Sequence, residues 1–517
     1  MTTDSATAML TGLLHRRLNH FIDGQWTPGT EGTFARLAPG SGRVVAEVPR
    51  ASAVEVNQAV AAARREFDTG AWPRMTGFER AAILNRVADL MDEHAEQLAL
   101  LDAEEGGKPL RLTDGDIAGA ATLTRYAAGL ATQMHGATYT SNGPDFTGLV
   151  LREPAGVVGL ITPWNFPALI LCQKLPFALA AGCTVVIKPS EFTSSSSVDI
   201  VRFYQEAGMP DGAINLVLGD GSTGQVLTEH NDVDVVSFTG STVTGRRVID
   251  AAKGNLKKLS LELGGKAANI VFADADLEDA VEGVLFGGFF NNGECCVAQS
   301  RLLVQASIAD EFIHEVARRT AQLRVGDPLN RATDVGALIH DAHLTSVLRH
   351  VDASTAQGAR LVAGGSRMTE GDLAAGQFMS PTILDQVTPA MDAFSTEIFG
   401  PVLTVSRFTD ADEAVELANG VDFGLSNSIW SKDIDKVLLT AKALKCGSVY
   451  VNTTIDAPPQ MPFGGYKASG TGREMGLAGF EEFTELKSIN IRTGKRAGTF
   501  AFSPSTDNRS QPSRIAT

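Results

Sequence analysis

Between Val157 and Asp250 short β-branched runs alternate with helical stretches, and this alternation constrains the chain more than any other feature. The runs VVGLIT (157–162), TVVIK (184–188), INLVL (214–218) and DVVSF (234–238) read as strands. Helices fill the gaps, over roughly 168–180, 196–207, 222–229 and 242–252. Strands joined by crossover helices run parallel, so the segment predicts a doubly wound α/β unit whose ligands bind at the C-terminal strand ends. Three of these strands end in polar or Gly/Pro punctuation: TPWNFP, KPSE and FTGS. Those three loops are where chemistry is expected.

A second α/β region follows, with strands near 268–272, 301–304, 402–406 and 448–452, and reads as a separate lobe. Residues 138–154 and 484–493 alternate apolar and polar side chains without a helical period, and so predict exposed strands or arms. Exposed strand edges invite pairing with another subunit. The first eighteen residues and the stretch from Lys495, rich in Ser, Arg, Pro and Thr, are expected to be loose. No internal repeat is visible.

Charge narrows the partners. Forty-four basic against sixty acidic side chains leave a net charge of -16 and a pI near 5.1, which repels phosphate backbones and anionic membranes. Five cysteines show no spacing suggestive of a disulfide framework or a zinc cage, so a reducing cytoplasm is expected and no metal is assigned. Near the N-terminus, Arg16 and Arg17 are not followed by an apolar run with a cleavage site, so no secretory signal is read. The uncharged stretch Pro154 to Cys172 has nearly the length of a spanning helix. Gly156, Gly159, Pro163, Asn165 and Pro167 break it, which argues against a span.

Four places carry candidate chemistry. Cys296 lies in FFNNGECCVAQSR, where Asn291, Asn292 and Gly293 end the preceding helix and leave the sulfur near a turn. It reads as a nucleophile or as one of a buried Cys pair, and composition alone favours the buried pair. A free thiol ionises near about 8.5, so a catalytic role requires an activating environment. Glu262 in SLELGGK stands between leucines and before a glycine pair. That setting predicts a raised pKa suited to general-base work, against the alternative of a strand-end ion pair with Lys266. Asn165, between two prolines, is an oxyanion donor or an ordinary turn residue. FTGS (238–241), with Gly245 beyond it, follows a strand and opens a helix, so its backbone N–H groups could receive a phosphate; as a bare pattern it is nonspecific.

Taken together these residues resemble the aldehyde dehydrogenase superfamily, from about Leu18 to Thr493. PWNFP (163–167), KPSE (188–191), FTGS (238–241), LELGGK (261–266), GECC (293–296), EIFGP (397–401) and PFGGYKASGTGRE (462–474) occur in the family's order. An ordered set of this size does not arise by chance. The resemblance implies an α/β fold with a Rossmann-like cofactor domain (19–136 and 155–261), an α/β catalytic domain (262–468) and a small β oligomerisation arm (137–154 and 484–494). Residues 1–18 and 495–517 fall outside these as loose ends. It also implies a homodimer or homotetramer.

By the same resemblance Cys296, three places after Gly293, is the nucleophile rather than Cys295. Asn165 and the Cys296 backbone N–H form the oxyanion hole, and Glu262 is the general base. Lys188 and Glu191 hold the adenosine ribose, Gly240 and Ser241 the pyrophosphate, and Glu397 with Phe399 the nicotinamide ribose and ring, while Trp164 offers backbone contacts beside the cofactor. Glu191 can accept hydrogen bonds from ribose hydroxyls and would repel a 2′-phosphate, so NAD is expected to be preferred, with NADP possible. The implied reaction is oxidation of an aldehyde to its acid through a Cys296 thioester that water releases. CoA-acylating relatives lack a glutamate at the position of Glu262, so its presence favours hydrolysis; intact Cys296, Glu262 and Asn165 argue against a silent protein on this fold. The implied tunnel of Phe166, Ile170, Gln173, Cys295, Val297, Ile455 and Phe463 is mostly apolar and predicts an aliphatic or aromatic aldehyde without strong charge. Succinic semialdehyde enzymes often carry an arginine where Gln173 stands, and overall similarity leaves betaine aldehyde and aminoaldehydes open.

Overall fold

The computed structural model describes residues 12–494 and Phe500. The alternation after Val157 becomes four strands, Val157–Ile161, Thr184–Lys188, Ile214–Leu216 and Val235–Thr239, joined through helices Pro167–Ala181, Ser195–Glu206 and Gly221–Glu229. Helix Thr242–Ala251 then leads to a fifth parallel strand, Lys258–Glu262. These strands are nearly all buried from end to end, which is why they read as continuous apolar runs. Val158, Leu160, Val185 and Ile187 face one helical layer, and Val157, Ile161, Val186 and Val236 face the other.

The eight-stranded sheet runs Gly470–Thr471, Lys258–Glu262, Val235–Thr239, Val157–Ile161, Thr184–Lys188, Ile214–Leu216, His20–Ile22, Gln25–Thr27. From Val157–Ile161 the chain winds outward to one side through Thr184–Lys188, then returns to pair Val235–Thr239 on the other. The direction therefore reverses between Val157–Ile161 and Val235–Thr239, which opens a crevice at their C-terminal ends. The TPWNFP and FTGS loops flank that crevice.

The second sheet has seven strands in the order Arg360–Ala363, Thr382–Asp385, Val402–Phe408, Arg301–Gln305, Ala268–Val271, Ser426–Trp430, Ser448–Val451. Four match the sequence reading. Thr382–Asp385, Ser426–Trp430 and Arg360–Ala363 were not foreseen; the first is too short to show a period, and the polar Ser426, Asn427 and Ser428 are buried in the second. Four helices between Ala53 and Ala131 also escaped the reading, although two of them begin with complete capping boxes, Ser52 with Glu55 and Thr76 with Glu79.

Residues 12–134 and 153–485 pack as one unit, and 135–152 with 486–494 as another. The second is built on a three-stranded antiparallel sheet in the order Thr484–Arg492, Phe146–Pro154, Ala137–Tyr139. One expectation is corrected: the end of the first eighteen residues is not loose. Arg16–Arg17 pairs in parallel with Ala46 and Glu47, Arg16 binds Asp199, and Leu18 is buried. Residues 1–11, and the tail from 495 apart from Phe500, lie outside the described residues. Among the described residues no helix is long and apolar enough to cross a membrane; Pro154 to Cys172 is divided among a strand end, a buried strand and the start of a helix.

Candidate active site

Helix Leu277–Phe289 stops at a turn in which Asn291, Asn292 and Gly293 are successively left-handed, with φ of 50°, 59° and 71°. Each such step opposes a Cβ by about 1–2 kcal/mol in most L-residues, and glycine and asparagine tolerate it best. The two amides also fasten the turn. Asn292 Nδ2 donates to the Gly107 and Ala337 carbonyls at 3.2 and 3.1 Å, and its Oδ1 accepts the Gly336 N–H at 2.6 Å. Asn291 Nδ2 donates to the Asn165 and Glu294 carbonyls, both at 2.9 Å. The chain leaves this turn with Cys295 buried and Cys296 half-buried. Cys295 packs among Phe166, Ile170, Val297, Ala298 and Leu425, while Cys296, Ile455, Phe463 and Phe290 lie against that cluster. The buried-packing alternative thus describes Cys295 and not Cys296.

Around Cys296 the groups favour the protonated thiol. The Cys295 thiol as hydrogen-bond partner, burial, and the charges of Glu397 and Glu262 push its pKa well above the ordinary cysteine range. Glu262 ends the strand Lys258–Glu262, is buried, and neither carboxylate oxygen has a hydrogen-bond partner among the described residues. Burial, reinforced by Glu474 and opposed by Lys174, raises its pKa well above the carboxylate range. Lys174 pairs with Glu474 and donates to Ser237 Oγ at 2.9 Å. The alternative ion pair of Glu262 with Lys266 does not form: Lys266 Nζ is buried without a hydrogen-bond partner among the described residues, and burial pushes its pKa down to about 7.

The glycine pair after Glu262 explains itself by proximity. A Cβ on Gly264 would overlap the Glu397 carboxylate and one on Gly265 the Cys296 carbonyl. Gly265 N–H donates to Glu397 Oε1 at 2.8 Å, and burial raises Glu397 to about 7. Asn165, on the loop after Val157–Ile161, donates one amide hydrogen to the Glu294 carbonyl at 3.0 Å, leaving the other N–H for a ligand.

At the crevice lies a cavity of about 990 Å³, bordered by Ile161, Trp164, Lys188, Glu191, Phe238, Gly240, Ser241 and Val248 among others. Lys188 Nζ stands 3.3 Å from Glu191 Oε2. Ser241 caps the helix Thr242–Ala251, its Oγ accepting the Thr244 N–H at 3.2 Å, so the positive end of that helix borders the cavity. A carboxylate able to hold hydroxyls, apolar walls and a helix N-terminus suit a nucleotide. Phe399, with φ of 59°, stands edge-on to Trp164 at 5.5 Å between centroids.

The aldehyde dehydrogenase family model matches residues 26–489. The chain belongs to that family. As an aldehyde dehydrogenase it oxidises an aldehyde to the acid with reduction of NAD(P). It is 42% identical over 475 residues to betaine aldehyde dehydrogenase of Bacillus subtilis, covering 92% of this chain and 97% of that one. It is 42% identical over 477 residues to NADP/NAD-dependent aldehyde dehydrogenase PuuC of Escherichia coli, covering 91% and 95%. Among solved structures, an NAD-dependent aldehyde dehydrogenase from Sinorhizobium meliloti superposes with a TM-score of 0.92 at 45% identity, covering 95% of this chain and 97% of that one. Betaine aldehyde dehydrogenase from Staphylococcus aureus in complex with NAD+ superposes with a TM-score of 0.93 at 38% identity, covering 97% and 99%. The family and fold expected from the ordered motifs hold.

In this dehydrogenase Phe166, Ile170, Cys295, Val297, Ile455 and Phe463 of the expected tunnel gather beside Cys296, and Gln173 stands half-buried on the helix Pro167–Ala181 that carries Ile170. The sequence reading missed several neighbours. Lys108, paired with Asp116, lies under the Phe166 ring with Nζ 3.6 Å from its centroid. Lys174 and His343 also escaped, since their site contacts, Glu474 for the first and Glu294 and Phe399 for the second, are far away in sequence, while Glu474 closes the PFGGYKASGTGRE motif without having been given a role. Phe290 was the exception: its place directly before Asn291 in FFNNGECC could have flagged it.

Proposed function

We propose that Cys296, Glu262 and Asn165 catalyse hydrolytic oxidation of an uncharged aliphatic or aromatic aldehyde, with NAD preferred over NADP. The supporting observation is the company Cys296 keeps: a buried carboxylate without hydrogen-bond partners among the described residues, an amide with one N–H to spare, and an apolar cluster leading to the sulfur.

In this reading residues 19–136 and 155–261 form the cofactor domain and 262–468 the catalytic domain. Lys188 and Glu191 hold the adenosine ribose, Gly240 and Ser241 the pyrophosphate, Glu397 and Phe399 the nicotinamide ribose and ring, and Trp164 the adjoining wall. The bound cofactor serves as the hydride acceptor. Cys296 loses its proton to solvent and its sulfur attacks the aldehyde carbon; the Asn165 amide and the Cys296 N–H receive the negative charge on oxygen. Oxidation leaves an acyl group on Cys296 as a thioester. Glu262, kept basic by its apolar surroundings, then takes a proton from water, the hydroxide adds to the thioester, and the acid departs as the thiol is restored. The Staphylococcus aureus relative binds NAD+ and the Escherichia coli relative is named for both cofactors, which supports a bias toward NAD rather than exclusivity. A cytoplasmic homodimer or homotetramer completes the reading.

Rapid mixing of Glu262→Gln with aldehyde and NAD tests it. One equivalent of NADH is expected to form in a burst, followed by a steady rate at least about a hundredfold below wild type, the usual scale of lost general-base catalysis. An undiminished steady rate would remove Glu262 from the mechanism. Ranking a panel of aldehydes by kcat/KM tests the substrate class, and a strong preference for succinic semialdehyde would refute it.

A further inference from the structure

His343, in the first turn of the helix Asp341–Ala356, joins three segments of the site that are remote in sequence. Its Nε2 lies 2.7 Å from the carbonyl oxygen of Phe399 and 3.5 Å from Glu294 Oε1. Its ring stands edge-on to Trp164 at 5.8 Å and to Phe399 at 6.2 Å, and Trp164 and Phe399 face each other edge-on as well, so the three rings close on one another. Glu294 in turn accepts the Ile339 N–H at 3.0 Å through its side chain, while its carbonyl receives Asn165 and Asn291.

Phe399 needs such a partner. Its left-handed backbone is disfavoured for an aromatic residue, and it persists only where surrounding contacts fix it. A carbonyl can only accept, so the hydrogen bond at 2.7 Å requires the proton on Nε2. Burial lowers the imidazole pKa to about 4, so the ring is neutral near neutral pH, and the contact with the Phe399 carbonyl selects the tautomer with the proton on Nε2.

We propose that His343 is a positioning residue for the nicotinamide half of the cofactor, holding the Glu397 to Phe399 segment in its left-handed bend through the Phe399 carbonyl. This rests on the reading above that Glu397 and Phe399 receive that half. His343 touches neither Cys296 nor Glu262 in this scheme; it acts through the backbone of Phe399.

Calorimetric binding of NAD and of ADP-ribose, which lacks the nicotinamide, separates the possibilities. His343→Met removes the donor at similar bulk, and His343→Gln retains an N–H. The Met variant is expected to bind NAD about tenfold more weakly, the scale of one lost buried hydrogen bond. Its ADP-ribose affinity and its cofactor-free hydrolysis of an activated ester are expected to stay within about twofold of wild type, while His343→Gln recovers NAD binding. Unchanged NAD affinity in the Met variant, equal weakening of both ligands, or equal loss in Met and Gln would overturn the proposal. Should the Met variant fail to fold, the Gln variant decides alone, and a tenfold loss of NAD affinity there refutes it. If wild type bound NAD and ADP-ribose identically, and Glu397→Gln changed neither, the underlying assignment of Glu397 and Phe399 would fall instead.

Discussion

Two adjacent cysteines meet different surroundings, and the difference is testable. Cys296→Ala is expected to abolish dehydrogenase and esterase turnover, whereas Cys295→Ala removes a buried thiol from an apolar cluster and should keep substantial turnover with modest loss of stability. Reversed outcomes in parallel assays would reassign the nucleophile. Glu262 makes a second prediction through linkage. Its folded-state pKa is raised, so the folded chain retains a proton that the unfolded chain releases. The stability from this group is full below its ordinary value of 4.5 and is lost as pH rises through the higher folded value. Glu262→Gln cannot ionise and should raise Tm relative to wild type at about pH 8, with the difference vanishing below about pH 4. A Tm unchanged at alkaline pH in differential scanning would contradict this. The apolar flanks of Glu262 made its raised pKa legible in the sequence; the opposing influences of Lys174 and Glu474 arise from tertiary contact and were not.

At the level of single elements, the strand Thr184–Lys188 ends in the Lys188–Glu191 pair that borders the cleft. A 2′-phosphate would bring up to two negative charges toward Glu191, so wild type should favour NAD over NADP by at least about tenfold in kcat/KM, and Glu191→Ser should narrow that ratio. Equal ratios in the two proteins would release Glu191 from this role. Elements whose signal is local were readable: buried parallel strands as unbroken apolar runs, and the reversal before Cys296 from consecutive Asn, Asn and Gly. Ser426–Trp430 was not, because its polar side chains are satisfied from outside the strand, as when Asn427 Oδ1 accepts the Ala268 N–H at 2.8 Å. The helices from Ala53 to Ala131 were readable in principle from their capping boxes, S-x-x-E at Ser52 and T-x-x-E at Thr76.

For the molecule as a whole, the three-stranded sheet leaves Tyr139, Leu151, Leu486, Ile489 and Ile491 exposed, more apolar surface than a small sheet keeps in water without a partner. Pairing across this sheet should make the protein sediment as a dimer or tetramer, and Leu486→Asp with Ile489→Asp should shift it toward a smaller species. A wild type that sediments as a monomer at micromolar concentration would refute the assembly. The alternating pattern of residues 138–154 and 484–493 was enough to anticipate this sheet.

The protonated state of Cys296 has a bearing on durability. Peroxide and electrophiles attack thiolate rather than thiol, and the neighbours that suppress ionisation here also slow the first rung of sulfur oxidation. Peroxide is therefore expected to inactivate the resting enzyme more slowly than it modifies a free cysteine at the same pH, and an equal rate would contradict this.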